Sequence, residues 1–551
     1  MAWAEFARHV DGARERFANA ARQPRRAQET LLQSILARHA ACAFGRTFGF
    51  AEMAKHVNLS EFQRRLPLAD PDDVAAEMQA VAGGAVPRLV DESLSAFERT
   101  GGSSGGAKLI ALTPSGLSAL QSGLHAWLDD LCTARPAVIA GSSYWSISPV
   151  ARELSHTASG VRIGLASDAE YFGPAAQHLL AVMAVPPMAA QVPELDNWRL
   201  LTLQCLLADA SLSLVSIWSP TFWLELCRHA GLQQEPLTRA IAQGCWAAEL
   251  STSLQAQLPR PRADPARARL LAAVLSSSAP DWTLVWPGLS MISCWSHASA
   301  APWAAQLAAA FPAVEIQGKG LLATEGLISV PLCDGGDPVA SITASVLEFE
   351  DDDGVLHTCD QLHLGGEYNV VMTTSAGLYR YRLGDRVQVT GWWHAAPRLR
   401  FLGRGAATAD LCGEKLSEAF VLRCCAKVGI PPGASLRLVP LMSVGLSRPR
   451  YELLLERGEH SDASIHTLGQ RLDATLRLNP QYAYARDLGQ LDALSTRCID
   501  QLAARMQALA LARGQRLGDA KPAILGRPDD IDLGLLDVAL RPRQTLQAPV
   551  S

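Results

Sequence analysis

Between Phe97 and Leu112 the chain abandons the helical spacing that precedes it. Nine residues there, Thr100-Gly101-Gly102-Ser103-Ser104-Gly105-Gly106-Ala107-Lys108, hold four glycines, three hydroxyl residues and a terminal lysine. Glycines let backbone N–H groups approach an anion closely, and the hydroxyls and the lysine add donors and charge, so the stretch reads as a cradle for a polyphosphate. It is not a Walker A loop, because the spacing G-x-x-x-x-G-K-[ST] is absent. A flexible linker of this composition would rarely sit between structured segments and end in lysine. The segments here are a short apolar strand, Leu109 to Leu112, and a helix opened by Thr113-Pro114. One face of that helix carries Leu117, Leu120, Leu124, Trp127 and Leu131.

The rest of the chain extends this alternation. The first ninety residues read mostly as helix, with Leu31, Leu32, Ile35 and Leu36 at helical spacing and another segment opening at Leu59-Ser60-Glu61-Phe62. Helices resume from Trp198 to Ala247, broken by a strand at Leu212 to Ile217, and the alternation predicts an α/β core. From Ser341 to Arg404 the period shifts toward two. Strands at Tyr368 to Thr373, Leu378 to Arg382, Val387 to Thr390 and Leu399 to Leu402 predict an antiparallel meander, with Asp385 in the turn between the second and third. The acidic run Glu348 to Asp353, followed by Gly354, reads as a solvated hairpin tip. A small-residue stretch, Gly405-Ala406-Ala407-Thr408-Ala409, places a domain boundary after Arg404. The fold class expected is therefore α/β. A large N-terminal domain, 1–404, carries a mixed α/β core and an antiparallel β subdomain, and a smaller α+β domain occupies 405–551.

Composition narrows the function. A length of 551 residues exceeds what one core usually supports. A formal net charge of -5 gives no field for nucleic acid or for an anionic membrane. The N-terminus shows no secretory signal, and the longest apolar stretch, Ala175 to Val192, is interrupted by Gln177, His178, Pro186 and Pro187. A soluble cytoplasmic protein is expected. The twelve cysteines include no C-x-x-C pair, so they read as buried thiols of a reducing compartment rather than as metal ligands.

Against these residues stands a resemblance. The loop Thr100 to Lys108 aligns without a gap with T-S-G-T-T-G-x-P-K, the phosphate loop of the acyl-adenylate-forming superfamily. Leu321-Leu322-Ala323-Thr324-Glu325 falls where that superfamily has Y-G-x-T-E, keeping the Thr-Glu pair and losing the aromatic. Tyr381-Arg382-Leu383-Gly384-Asp385 matches Y-R-x-G-D, and Phe401-Leu402-Gly403-Arg404 matches F-L-G-R. Within the superfamily the chain resembles the plant auxin-responsive acyl-acid amido synthetases and their bacterial relatives. The residues are Phe44-Gly45-Arg46, the run Gly377 to Asp385, and Gly514-Gln515 followed by Lys521-Pro522.

The resemblance implies an adenylate-forming fold that binds ATP through Thr100, Ser103, Ser104, Lys108, Thr324, Asp385 and Arg404. Chemistry agrees at several positions. Asp385 is an acceptor-only carboxylate suited to two ribose hydroxyls. Glu325 offers a hard oxygen to the Mg²⁺ that neutralises the phosphates. Arg404 stands at the domain boundary, where it can bridge ribose or phosphate. Lys521 is the expected catalytic lysine of the C-terminal domain, stabilising charge as pyrophosphate leaves. The expected reaction joins a small carboxylic acid, through its acyl-AMP, to an amine, an amino acid by resemblance. The alternatives are a thiol acceptor such as coenzyme A, and a nucleotide-binding protein of the same fold without turnover. Cys294-Trp295-Ser296-His297 has the look of a nucleophile site, but no partner acid stands at useful spacing, and it reads as a pocket wall.

Overall fold

The computed structural model describes residues 2–99, 109–146, 155–165, 168–404, 408–409, 411, 414, 416–431, 434–441, 449–457, 462–487, 491–512 and 524–526. The chain divides into two compact units, Met1–Leu402 and Gly403–Ser551.

The first unit opens with helices whose starts follow from their caps. Helix Pro24–Arg38 has proline in its first turn and buries Leu32, Ile35 and Leu36. Helix Leu59–Arg65 begins at Asn58, whose side chain accepts the Glu61 N–H. The long helix Pro114–Ala134 follows Thr113, whose hydroxyl accepts the Gly116 N–H at 3.1 Å, and it buries Ala126, Trp127, Leu128 and Leu131.

Three sheets organise this unit. A four-stranded sheet joins Leu109–Leu112, Ala96–Arg99, Arg162–Ile163 and Ser155–His156 in that order. A second four-stranded sheet is wholly parallel and runs Ser142–Trp145, Leu212–Ser216, Met291–Cys294, Glu315–Gly318, with helices in the crossovers. Every residue of Leu212–Ser216 and of Met291–Cys294 is buried, as central parallel strands require. At the C-terminal end of this sheet Trp145, Ser216, Ser293 and Gln317 stand in one register row, so their side chains share a face.

The third sheet has seven strands in the order Ser329–Val330, Val339–Ala340, Ala396–Arg404, Tyr381–Trp393, Glu367–Thr373, Val346–Glu350, Leu356–Thr358. It contains the expected antiparallel meander, with two corrections. The strands expected at Leu378 to Arg382 and Val387 to Thr390 are one strand, Tyr381–Trp393, so Asp385 does not occupy a turn. The acidic run is not all hairpin tip. Glu348 and Glu350 belong to strand Val346–Glu350, Glu348 is buried, and only the residues after them make the turn.

The second unit carries a three-stranded sheet, Leu436–Leu441, Arg450–Glu456, Ser495–Ile499, with helices Glu418–Lys427 and Asp462–Leu476 and its own core around Leu438, Tyr451, Leu453 and Leu472. Among the described residues the cysteines are free thiols, most of them buried, and no helix is long and apolar enough to cross a membrane.

Candidate active site

The run Gly377 to Asp385 does two jobs. Its first half anchors the N-terminal helices. Tyr379 stacks on Phe44 with ring centres 5.0 Å apart and planes 6° from parallel, meets Phe50 edge-on at 5.0 Å, and donates its hydroxyl to the Leu89 carbonyl at 2.7 Å. The glycine of Phe44-Gly45-Arg46 has a packing reason, since a Cβ on Gly45 would lie 2.1 Å from the His39 carbonyl oxygen. Next to Tyr379, Arg380 adopts a φ of +49° and is buried. Its guanidinium pairs with Glu348, with Nη2 to Oε1 at 3.0 Å and Nε to Oε2 at 3.1 Å, and donates to the carbonyls of Gln63 and Leu66. Gln63 completes the network by donating to Glu348 at 2.9 Å.

The second half of the run faces inward. Strand Tyr381–Trp393 pairs with Glu367–Thr373, and between the pairs Asn369↔Arg386 and Val371↔Arg382 three residues, Leu383, Gly384 and Asp385, oppose Val370 alone. This is a β-bulge with two extra residues, and Gly384 makes it possible at a φ of +81°. Because side chains alternate with period two, a bulge of two leaves the faces in phase. Tyr381, Leu383, Asp385, Val387 and Val389 are all buried, and a carboxylate occupies what would otherwise be an apolar position.

Glu325 reaches the same face from another part of the chain. Leu322–Ala323 and Gly326–Leu327 form a small antiparallel hairpin whose tip is Thr324-Glu325. Glu325 is buried, and the Tyr381 hydroxyl donates to its Oε1 at 3.4 Å. Thr324 is partly exposed beside it. Leu321, standing where the resembling pattern has an aromatic, packs half-buried against the main core. Arg404 ends strand Ala396–Arg404. Its side chain, and Thr100, Ser103, Ser104, Lys108 and Lys521, lie outside the described residues. The structure thus brings Glu325, Tyr381 and Asp385 onto one buried face.

Two features escaped sequence reasoning. His297 does have an acid partner, Asp337, with Nε2 to Oδ1 at 3.1 Å, and Asp337 also accepts from Arg400 at 2.8 Å. Burial holds His297 below its ordinary pKa despite that carboxylate, and the Arg400 guanidinium adds to the lowering. Cys294 is fully buried and pushed up to about 12 by desolvation, which removes it as a nucleophile. The other feature is Lys319, which no motif marks. It sits at the end of the parallel sheet among tryptophans.

Among the described residues no three His, Cys, Asp or Glu side chains gather as a metal cluster. A magnesium ion at Glu325 would draw its other ligands from nucleotide phosphates and water, which is the usual way that ion is held.

Comparison with known proteins identifies the family and the fold. The GH3 family N-terminal domain matches residues 13–316, and the GH3 family central domain matches residues 344–404. A probable indole-3-acetic acid-amido synthetase of Oryza sativa subsp. japonica, GH3.4, is 24% identical over 440 residues, 71% of this chain and 67% of that protein. The indole-3-acetic acid-amido synthetase GH3.8 of Oryza sativa subsp. indica is 30% identical over 200 residues, 31% of this chain and 32% of its own length. A further Oryza sativa subsp. japonica relative, the probable indole-3-acetic acid-amido synthetase GH3.12, matches at 41% identity, but the chain spans only 14% of its length. Among solved structures the fold is that of GH3.15 acyl acid amido synthetase, with a TM-score of 0.80, 18% identity and 95% of both chains covered. The fold is also similar, at a TM-score of 0.51, 12% identity and 86% coverage of both chains, to that of a 2-hydroxyisobutyryl-CoA ligase. The family match takes in most of the helical N-terminus and of the parallel sheet, and the strand that carries Tyr381 and Asp385, and the chain belongs to the GH3 family.

Proposed function

We propose that this protein is an ATP-dependent acyl acid amido synthetase, which adenylates a carboxylic acid and transfers the acyl group to the amine of an amino acid. The observation that carries the reading is the convergence of Glu325, Tyr381 and Asp385 on one buried face, with Asp385 in a core position at a bulge. The two oxygens of the Asp385 carboxylate match the paired hydroxyls of a ribose. Family membership and the names of its relatives support the same activity.

In this reading Asp385 holds the ribose, and Thr100, Ser103, Ser104 and Lys108 cradle the phosphates beside Thr324 and Arg404. Glu325, oriented by the Tyr381 hydroxyl, is the protein's ligand to the Mg²⁺ that neutralises phosphate charge. The acid's carboxylate oxygen attacks the α-phosphorus in line, the bond to the β-phosphate bridging oxygen breaks, and pyrophosphate leaves. Lys521, from the mobile domain at 405–551, stabilises the charge that develops. The amine then attacks the acyl carbonyl, AMP leaves with the bonding electrons, and the ammonium proton passes to solvent or a nearby base. A positioned amine suffices for that step, because the anhydride already holds the activation energy.

The test is to incubate the protein with ATP, Mg²⁺, an acid panel and mixed amino acids, with or without coenzyme A, and to identify products by mass. Acid-dependent AMP with an N-acyl amino acid supports the reading. A thioester formed in preference would move the protein to an acid-thiol ligase, and ATP binding without product would leave a nucleotide-binding protein.

A further inference from the structure

Lys319 follows the last residue of strand Glu315–Gly318 and carries its ammonium into a cage of indoles. Nζ lies 4.8 Å from the ring centre of Trp127, 5.1 Å from Trp218 and 5.8 Å from Trp145, and it donates to Ser216 Oγ at 2.7 Å. Trp295 backs Trp218 at 5.9 Å. Among the described residues no carboxylate pairs with this ammonium, and the neighbouring titratable group is the neutral Cys294 thiol.

The floor of the cage is the register row Trp145, Ser216, Ser293, Gln317. Gln317 is satisfied, accepting from Trp127 Nε1 at 3.0 Å and donating to Cys333 Sγ at 3.3 Å. Ser293 is not. Its hydroxyl is wholly buried with no hydrogen-bond partner, and the buried indole N–H of Trp145 is equally unpaired. An ammonium has three N–H donors and Ser216 takes one. One face at the end of a parallel sheet therefore holds a cation without a counter-charge and several unspent donors between aromatic walls. Buried charges and donors in native proteins are paired, and the crevice beyond the carboxyl ends of parallel strands is where ligands of such sheets bind.

The position relative to Glu325 selects the ligand. Gly320, next to Lys319, lies against the Ser329 carbonyl at the base of the hairpin whose tip is Thr324-Glu325. At the rise of an extended strand that ladder is about 10 Å long. A carboxylate at Lys319 is thus not the one that meets the phosphates at Glu325. We propose that the cage of Trp127, Trp145 and Trp218 with Lys319 and Ser293 binds a second carboxylate at the far end of the acid substrate. The preferred acids are accordingly dicarboxylic, with an apolar or aromatic middle between the indoles. This rests on the adenylation reading, which assigns the near carboxylate to ATP.

The test is calorimetric titration of the full-length protein with terephthalate and suberate, each against its monomethyl ester. The expected result is that each diacid binds at least tenfold more tightly than its ester. Lys319→Met should reduce that ratio to within twofold, and Ser293→Ala should narrow it. Equal affinities in the unaltered protein overturn the proposal without reference to any variant. So does Lys319-dependent binding of free amino acids instead of diacids, which would make the cage the acceptor's carboxylate site. Pyrophosphate release measured beside the titrations separates the two claims. Lys319-dependent diacid binding with no pyrophosphate from any acid upholds the cage and sinks adenylation, whereas release from esters that bind as well as diacids does the reverse.

Discussion

Asp385 shows what a single residue can and cannot disclose. Its place within Tyr-Arg-x-Gly-Asp nominated it through the family resemblance, and an acceptor-only carboxylate suits two ribose hydroxyls. Its setting was not readable, because a bulge of two residues keeps the alternation in phase and Gly-Asp has the composition of a turn. Asp385→Asn should keep the fold, with a melting temperature close to that of the parent, and weaken ATP binding about tenfold or more, ~1.4 kcal/mol. Equal affinity for ATP by calorimetry would remove the ribose assignment. The His297–Asp337 pair was invisible for a different reason: its partners are on separate elements, and spacing along the chain carries no signal for such contacts. Lys319 was missed in the same way, and it has a pH signature. Burial lowers it to about 7, whereas a lysine of the unfolded chain titrates near ~10.4. Below pH 7 both states carry the proton and the full cost of burying the charge is present. As pH rises the folded state releases the proton first, so that cost fades toward pH 10. Lys319→Met should raise the melting temperature most at pH 6 and progressively less by pH 9.5. A difference independent of pH would mean that the ammonium is well solvated.

The elements that were legible are those whose ends and faces are written locally. Helix Pro114–Ala134 announces itself by a threonine cap, a first-turn proline and one apolar face, and strand Leu212–Ser216 by a short apolar run between helices. The merging of two expected strands into Tyr381–Trp393 was not legible, since Gly384 and Asp385 interrupt the apolar pattern in sequence while the backbone continues through them. Nor could sequence show that Glu348, in an acidic run, is the buried partner of Arg380. That pair ties strand Val346–Glu350 and the helix ending at Arg65 to the start of the Asp385 strand. Glu348→Ala leaves a buried guanidinium unpaired and should cost about 3–5 kcal/mol in denaturant unfolding. Gly45→Ala, which drives a methyl group into a backbone carbonyl, should cost about 1–3 kcal/mol. Neutral outcomes at both sites would mean that the Gly377 to Asp385 run does not anchor the N-terminal helices.

At the scale of the whole molecule, the two compact units put Glu325 and Asp385 in the first and Lys521 in the sequence of the second. The ordered motifs made the fold and the family legible across most of the chain. The cage proposed for the far end of the acid was not, because Trp127, Trp145, Trp218 and Lys319 come together from four separate segments. If Lys521 serves adenylation alone, Lys521→Ala should abolish acyl-AMP formation, a loss of about 3 kcal/mol or more, and should leave amide formation from a supplied acyl-AMP intact. Equal failure in both half-reactions would assign it to both steps or to structure. Adenylation at Asp385 and Glu325 is tested most directly by acid-dependent exchange of labelled pyrophosphate into ATP, measured in the absence of any amine. Adenylation there predicts exchange with accepted acids, none without acid, and a drop of at least tenfold in both Asp385→Asn and Glu325→Gln proteins that still fold. Exchange unaltered by both substitutions, or ATP binding with no exchange for any acid, would contradict it.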